Sequence, residues 1–240
     1  MNVLWEQFPV FRDGFLLTFQ LSFLSAIGAL LVGTLVAVLR ISPVPPLRWL
    51  GTSYVNLFRN IPLTAVFVFV VVGLPLLGSS ADFLKIPGLD QIFTRLGIDL
   101  PYFRFSIIAL SLYTAAFVCE ALRSGINAVP SGQAEAARSI GLTFTQNLRF
   151  IVLPQAWRAA IVPLGSVIIA MIKNSAIAGF MGLYGDLSSR GQELVSAGVN
   201  GVTYPLIPVF IAISLGFLIM TVPLGLLLDR IEKNRMVKAR

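Results

Sequence analysis

The sequence predicts an all-α integral membrane protein with five transmembrane helices. Hydrophobic residues make up 56% of the 240 residues and charged residues only 12%, which is far from the composition of a soluble globular protein. Residues 15–39 and 203–228 carry no charge over 25 and 26 positions, and each segment is long enough to cross a bilayer. Polar or proline-containing stretches separate them from three further apolar segments, as connections between spans would.

The apolar segments divide the chain without an internal repeat, a low-complexity run or a separate soluble part. We therefore expect one transmembrane domain over residues 1–240. Its predicted spans cover residues 15–39, 52–77, 105–127, 163–183 and 203–228, and a loop over residues 128–160 joins the third span to the fourth.

The first two spans have different characters. Small residues recur every four positions in the first span, which gives that helix a face suited to close packing: Ser25, Ala29, Gly33 and Ala37. The second span is uninterrupted and apolar only from residue 61 to 77, although we expect its helix to begin near Thr52. This start would place Arg59, Asn60 and Pro62 inside the membrane or near its edge.

The third and fourth spans contain polar side chains, whereas the fifth has no charge. Glu120 and Arg123 lie three residues apart near the end of the third span, where we expect them to pair with each other. The fourth span contains Lys173, Asn174 and Ser175 near its middle. A charge at the bilayer centre costs at least ~2.5 kcal/mol, so Lys173 in particular requires a functional or structural reason.

Composition excludes most enzymatic chemistry. The chain has no histidine and one cysteine, Cys119, so it cannot form a disulfide with itself, a His-ligated metal site or a Ser-His catalytic pair. It also lacks the G-x-x-x-x-G-K-[ST] pattern and cannot bind ATP by the P-loop mechanism. We therefore expect no enzyme activity, cofactor or metal in this chain, and any ATP-driven step would need another subunit.

The charge distribution predicts the orientation in the membrane. Five spans place the termini on opposite sides, and five of the eighteen basic residues lie in the last eleven positions. If that tail is cytoplasmic, eleven basic residues lie inside and five outside, which agrees with the positive-inside rule. The N-terminus would then be outside and the 128–160 loop inside. Nucleic-acid binding is a poor alternative because no aromatic residues interleave with the basic tail.

Two predicted outer segments also contain charges. The first is the long connection over residues 78–104, and the second covers residues 184–202 and includes Asp186, Arg190 and Glu193. These charges are either docking points for a soluble protein or ordinary solvated loop charges. The sequence leaves both interpretations open.

The 128–160 loop has the clearest internal design. Good helix formers surround Glu135, and Gly141 follows as a glycine past a helix end usually does. Thr143 and Gln146 form a Thr-x-x-Gln capping box, which predicts a second helix start. We expect Pro154 to disrupt that helix. The pattern indicates two short helices joined at Gly141, small enough to dock in a cleft of another protein.

This segment resembles the cytoplasmic E-A-A loop of binding-protein-dependent ABC importer permeases. All seven fixed positions of that loop match at the expected spacing: Glu135, Ala136, Ala137, Gly141, Ile151, Leu153 and Pro154. Residues 58–63, 113–127 and 163–175 are similar to the polar amino-acid branch of these permeases, and within it to permeases of actinobacterial glutamate importers. Many members of that branch have Asp after the lysine, whereas this chain has Asn174, which disfavours a cationic cargo.

The resemblance implies a type I ABC importer permease fold and several partners in a bacterial plasma membrane. An extracytoplasmic binding protein would deliver glutamate or a related polar amino acid. This chain and a second permease subunit, expected to be a homologous heterodimer partner, would form the path. Two ATPase subunits would bind ATP and magnesium inside. The 133–154 segment would couple to them, with Glu135, Ala136 and Ala137 at the contact and Gly141 at the bend.

The candidate cargo contacts are the polar residues predicted to lie within the spans. Lys173, with Asn174 and Ser175, either faces a cavity and binds a cargo carboxylate or forms a structural ion pair, for example with Glu120. Arg59 and Asn60 either line the same cavity or lie near the inner surface. An ion-coupled carrier or a channel remains an alternative function, which would need titratable or polar residues at the midplane and would work without ATP.

Overall fold

The computed structural model describes residues 3–76, 94–95, 101–198 and 202–238, and nearly all of these residues are helical. Four helices are long and apolar enough to cross a membrane, and a bent helix pair brings the number of spans to as many as five. The predicted all-α membrane fold is therefore confirmed. The helices are α1 (Val3–Glu6), α2 (Phe8–Ile41), α3 (Pro45–Asn60), α4 (Leu63–Leu76), α5 (Pro101–Asn127), α6 (Ser131–Ser139), α7 (Phe144–Asn147), α8 (Leu153–Asn174), α9 (Ala176–Phe180), α10 (Leu187–Ser196) and α11 (Leu206–Lys238).

The second predicted span is a broken helix pair rather than one straight helix. Its first helix, α3, begins at Pro45 instead of near Thr52, and α4 is bent from it by 108°. The break falls at Ile61, whose extended backbone (φ −92°, ψ 135°) ends α3. Proline disfavours helical geometry in the residue before it and has no N–H to donate, so Pro62 explains the break.

The fourth span begins earlier than predicted. We expected it over residues 163–183, but the helical span runs over Thr145–Phe180, with Pro163 inside α8. Pro154 does not end the helix either, because a π-helical turn, Leu148–Val152, connects α7 to α8. The wider turn relieves the clash between a proline ring and the carbonyl four residues earlier, which explains the continuity.

The other spans also differ from prediction at their ends. α2 begins before residue 15, α5 begins at Pro101, and α11 continues well beyond residue 228. Arg104, predicted in an outer loop, lies in the first turn of α5 with 7% of its surface exposed. Most of the predicted 78–104 connection lies outside the described residues.

The core of the bundle is the contact between α2 and α5. The four small residues predicted to share one face of α2 are all buried: Ser25, Ala29, Gly33 and Ala37. Ser111 Oγ of α5 donates to the Ser25 carbonyl at 3.2 Å, and a Cβ on Gly33 would lie 2.6 Å from the Val118 side chain. Such close approach through small residues is how membrane helices pack without a hydrophobic driving force.

The two ends of the bundle carry different elements. Ser25 meets Ser111, and Gly33 meets Val118, so α2 and α5 run parallel. The α6–α7 segment follows the C-terminal end of α5, whereas α10 contacts the N-terminal part of α2, where Leu187 N donates to Thr18 Oγ1 at 3.0 Å. Thr18 and Arg40 are separated along α2 by about 33 Å, close to the thickness of a bilayer core. The two elements therefore lie at opposite membrane faces.

Candidate coupling and translocation sites

A bent helical hairpin, α6–α7, contains all the residues predicted to contact an ATPase. Gly141 adopts φ +84°, in the left-handed region that favours glycine. Leu142 N donates to the Ala137 carbonyl at 3.1 Å, and Gly141 N donates to the Arg138 carbonyl at 3.0 Å. These two bonds form a Schellman motif, which satisfies carbonyls left free at a helix end. The predicted bend at Gly141 is therefore present and has a backbone explanation.

The predicted capping box starts the second helix of the hairpin. Thr143 N donates to Gln146 Oε1 at 2.9 Å, and Gln146 N donates to Thr143 Oγ1 at 3.3 Å. Each side chain thus satisfies a backbone N–H of the other residue. The turn between α6 and α7 is consequently fixed at both ends, by a Schellman motif before it and a capping box after it.

Side-chain hydrogen bonds hold the two arms of the hairpin together. Asn147 is buried and its Nδ2 donates to the Ala134 carbonyl at 3.0 Å. Gln155 Nε2 donates to Gln133 Oε1 at 3.0 Å, which connects α6 to the first turn of α8. The hairpin is therefore attached to the fourth span both through the chain and through these contacts.

The predicted contact residues of the hairpin differ in exposure. Glu135, Ala136 and Gly141 are exposed, whereas Ala137 is buried against the hairpin's second arm. Ile140 is 79% exposed at the tip. An exposed acidic and apolar face on such a projection suits a protein–protein contact, and the buried Ala137 packs within the hairpin.

Lys173 is exposed and lines a groove of about 710 Å³ between α8, α10 and α11. The groove is mainly apolar, with Phe180 and Phe210 in its wall, and Gln192 and Thr221 add polar groups. Such a lining, apolar with a few polar groups, is typical of small-molecule sites. The helical span is longer than expected and ends at Phe180, only seven residues after Lys173. Lys173 therefore lies nearer the α10 end of the span than its middle.

Asn174 and Ser175 face surroundings different from those of Lys173. Asn174 is half-buried and lines a second groove of about 350 Å³ between α5 and α8, beside Tyr113. Ser175 is fully buried, and its Oγ donates to the Ile172 carbonyl at 2.7 Å.

The structure places the three predicted cargo contacts at residues 173–175 in different surroundings. Consecutive residues of a helix point about 100° apart, and here Lys173 and Asn174 line two different grooves. Ser22 Oγ of α2 donates to Ser175 Oγ at 3.3 Å. Ser175 thus joins α2 to the end of α8 and does not reach a groove.

Arg59 and Asn60 lie at the end of α3, just before the break, and both are exposed. Arg59 Nη1 is 3.5 Å from Glu120 Oε1, and Asn60 Nδ2 donates to the Asn56 carbonyl at 2.6 Å. Neither residue lines the groove of Lys173 or that of Asn174. The structure therefore does not bring the two groups of predicted cargo residues together.

Glu120 is the centre of a charged cluster that joins three helices. Besides Arg59 of α3, it pairs with Arg40 of α2 at 2.5 Å and with Arg123 of α5 at 3.9 Å. The predicted Glu120–Arg123 pair is thus one of three contacts, and the proposed ion pair between Glu120 and Lys173 is not formed. Arg40 was missed as a partner because it is 80 positions away and no local pattern relates the two residues.

The predicted outer charges also have distinct roles. Asp186 is fully buried and caps α10, accepting hydrogen bonds from Ser188 N and Ser189 N. Burial raises the pKa of its carboxyl above the ordinary value, against the opposing effect of these hydrogen bonds. It cannot be a docking point, whereas Arg190 and Glu193 are accessible and pair at 2.8 Å.

Metal binding has no support in the described part of the chain. Groups of three or more His, Cys, Asp or Glu side chains that could hold an ion do not occur among those residues. Cys119 is buried beside the Glu120 cluster.

A bundle of apolar helices with an exposed hairpin at one end is compatible with a membrane transport subunit. The chain matches the family described as "Binding-protein-dependent transport system inner membrane component" over residues 13–235 and belongs to that family. It is therefore an inner-membrane permease subunit of an ABC importer, which works with an ATPase and a substrate-binding protein.

Solved structures agree with this assignment. A chain from "Crystal structure of an amino acid ABC transporter with histidines" superposes with a TM-score of 0.78 at 29% identity, covering 95% of each chain. A subunit of the MetNI methionine ABC transporter in an inward-facing conformation superposes with a TM-score of 0.64 at 22% identity, covering 98% of each chain. The second match supports the fold alone.

Curated relatives extend over the whole chain. The "Glutamate transport system permease protein GluC" of Corynebacterium efficiens is 42% identical, covering 99% of this chain and 100% of the relative. The "Probable glutamine ABC transporter permease protein GlnM" of Bacillus subtilis is 37% identical, covering 98% of this chain and 97% of the relative.

Proposed function

We propose that this chain is one of two permease subunits of an ATP-driven importer for glutamate or a related polar amino acid. The single observation that carries the proposal is the α6–α7 hairpin, an exposed projection with a fixed bend at Gly141, in a chain of this family. The relatives described above are named as a glutamate permease and a probable glutamine permease, which supports an amino acid as the cargo.

The hairpin is the contact with the ATPase. Glu135 and Ala136 lie on its exposed side, and the tip carries exposed Ile140, so an ATPase cleft could bind both polar and apolar groups there. ATP and magnesium belong to two such ATPase subunits. The residues of this chain position the projection, and the partner performs the hydrolysis.

Movement of the hairpin reaches the spans through two connections. α7 continues through the π turn into α8, so the second arm of the hairpin and the fourth span form one rod. α5 and α8 also meet closely, because a Cβ on Gly125 would lie 2.5 Å from the Ala156 carbonyl oxygen and 2.7 Å from Ala160 Cβ. A displacement of the hairpin therefore rotates α5 and α8 together, as rigid-body alternating access requires.

The orientation follows from the same assignment. If the hairpin meets an ATPase, it lies in the cytoplasm, together with Arg40 and the basic end of α11. The α10 end of the bundle then faces outwards, where the binding protein delivers the amino acid, and the N-terminus lies outside. The excess of basic residues on the hairpin side supports this arrangement.

Within the bundle, Lys173 is the proposed contact for a cargo carboxylate. Its groove lies on the delivery side and includes one cationic side chain in an otherwise mainly apolar lining. Asn174 would meet the cargo through the neighbouring groove, between α5 and α8. Arg59 and Asn60 would contact it only later, nearer the Arg40 end of the path.

A second permease subunit completes the path, and we propose that it is a homologous chain in a heterodimer. Long apolar side chains remain exposed on α11, such as Phe210 (63%), Ile219 (63%) and Leu226 (58%), and these can face lipid or the partner. Apolar surface of this extent is expected of a membrane protein.

The test is reconstitution of the chain with its partner permease, ATPase and binding protein in proteoliposomes. The binding protein loaded with glutamate, aspartate or glutamine should stimulate ATP hydrolysis, and the amino acid that stimulates most identifies the cargo. Uptake that follows an ion gradient and proceeds without ATP would contradict the proposal and favour an ion-coupled carrier.

A further inference from the structure

A cavity of about 920 Å³ lies between the N-terminal part of α2 and α10, and the assignments above do not use it. We call it the α2–α10 cavity. Five of its lining residues define it: Asp13 and Gln20 of α2, Tyr184 of the loop before α10, and Arg190 and Glu193 of α10. Its lining has a larger polar share than the Lys173 groove and contains charges of both signs.

The cavity lies at the delivery end of the path. It is next to the contact between Thr18 and Leu187, at the membrane face opposite the α6–α7 hairpin. Gln192 and Ser196 of α10 line both this cavity and the Lys173 groove. The two spaces are therefore neighbours across α10.

Arg190 offers an edge suited to a carboxylate. Its Nη1 pairs with Glu193 Oε2 at 2.8 Å, while its Nε is buried with no hydrogen-bond partner among the described residues. The Nε–Nη2 edge of a guanidinium matches the two oxygens of a carboxylate. A carboxylate in the cavity would satisfy this donor once the side chain turned its buried Nε towards the cavity.

Carboxylates lie close to the same arginine. The Arg190 side chain packs against Gly14, so Asp13 is its neighbour across the helix contact. Asp13 is 58% exposed, and Arg12 contacts its Oδ1 at 2.9 Å, which leaves Oδ2 accessible. Glu193 also has a second oxygen beside the one that Arg190 contacts. The cavity thus contains a guanidinium and two accessible carboxylate oxygens.

We propose that the α2–α10 cavity binds the zwitterionic backbone of an α-amino acid before it reaches Lys173, with Arg190 on the α-carboxylate and Asp13 or Glu193 on the α-ammonium. Recognition of these two groups is independent of the cargo's side chain. The proposal rests on the proposed import of amino acids, but it assigns a separate binding site to this chain.

The experiment uses the permease–ATPase complex in lipid nanodiscs without the binding protein, with binding of L-glutamine at millimolar concentration measured by saturation-transfer NMR. All variants also carry Lys173→Met, so that the remaining signal reports the α2–α10 cavity. L-Alanine should compete, whereas ethylamine, which lacks the carboxylate, and propionate, which lacks the ammonium, should not. Arg190→Gln should weaken binding at least tenfold, and Arg190→Lys should weaken it less.

Arg158→Gln is the matched control, because it removes an equal charge from an exposed residue outside the cavity lining, and it should not weaken binding. Absence of L-glutamine binding, or equal binding by Arg190→Gln, would overturn the proposal. A parallel ATPase assay with the binding protein gives a third outcome: if Arg190→Gln leaves L-glutamine binding unchanged and raises only the half-saturating concentration of the binding protein, the cavity is a docking surface and the proposal is overturned. Failure of the import function itself would appear separately, as wild-type proteoliposomes without ATP-dependent uptake.

Discussion

Three single residues contribute to function or stability for different physical reasons: Lys173, Gly141 and Asp186. Lys173 places a charge in a mainly apolar groove, Gly141 adopts a positive φ, and Asp186 caps the N-terminus of α10. The first two could be found from sequence, since a charge within a span and a glycine after a helix are visible there. The burial of Asp186 could not, because it depends on packing against α2, which is distant in the chain.

Replacing Lys173 with methionine should abolish uptake while leaving the complex assembled. The loss should be at least tenfold, because methionine keeps an unbranched side chain but cannot pair with a cargo carboxylate. Uptake by proteoliposomes is the measurement, and Lys173→Arg, which retains the charge, should keep part of the activity. Unchanged uptake by Lys173→Met would remove this residue from the path.

Substitutions of Gly141 should separate ATP hydrolysis from transport. Gly141→Pro forbids the positive φ and removes the N–H that donates to the Arg138 carbonyl, so the hairpin loses its bend. More ATP should then be hydrolysed per amino acid imported. A Cβ at this position would meet no atom within 4 Å, so Gly141→Asn, which tolerates positive φ, should be milder than Gly141→Ala. Equal effects of Asn and Ala would argue against a conformational cause.

Asp186 should affect stability in a pH-dependent way. Asp186→Ala removes a helix cap and should cost about 1 kcal/mol, whereas Asp186→Asn keeps one acceptor oxygen and can still accept one of the two capping bonds. Because the folded pKa of Asp186 is raised, its protonation stabilises the folded state below about pH 3.9, and this contribution is lost as the pH rises through the folded pKa. In thermal unfolding in detergent, the melting temperature of Asp186→Asn should rise relative to that of the wild type as the pH rises. A difference in melting temperature that stays constant with pH would contradict this pH dependence.

At the scale of helices, the crossing of α5 and α8 connects the coupling hairpin to the spans. The crossing depends on Gly125, whose role in it was not predicted from the sequence because its contacts, Ala156 and Ala160, lie about 30 positions further along the chain. Proline effects were also difficult to predict. Pro62 breaks a helix, while Pro154 and Pro163 are accommodated within one, and the difference lies in the π turn and the neighbouring backbone.

A bulky residue at Gly125 should loosen this crossing. Gly125→Val would place carbon atoms against the Ala156 carbonyl, so α5 and α8 must move apart. We expect destabilisation of about 1–3 kcal/mol, the usual cost of overpacking, together with weaker coupling of ATP hydrolysis to uptake. Gly225→Ala is the control, because a Cβ there is only in ordinary contact with Ile169. If both variants unfold at the wild-type temperature, the crossing is not tightly packed.

At the scale of the whole molecule, the hairpin and the α10 end lie at opposite faces of one bundle, and function depends on movement between them. Five apolar segments and the E-A-A pattern predicted the spans and the hairpin, because both are local signals. The joining of α2, α3 and α5 by Glu120 could not be predicted, since it brings together residues up to 80 positions apart. Lys173, Asn174 and Ser175 have different neighbours, which depend on how α2, α5, α10 and α11 pack around α8, and this packing could not be predicted from the sequence.

The most direct test of the account is site-specific cross-linking from position 136 on the hairpin. Cys119 is the chain's only cysteine, so Cys119→Ser gives a background in which Ala136→Cys is the sole thiol. In membrane vesicles, that thiol should cross-link to the ATP-hydrolysing subunit and should resist reagents that cannot cross the membrane from outside. Labelling from the outer face, or the absence of any cross-link to a nucleotide-hydrolysing partner in an active complex, would contradict the account.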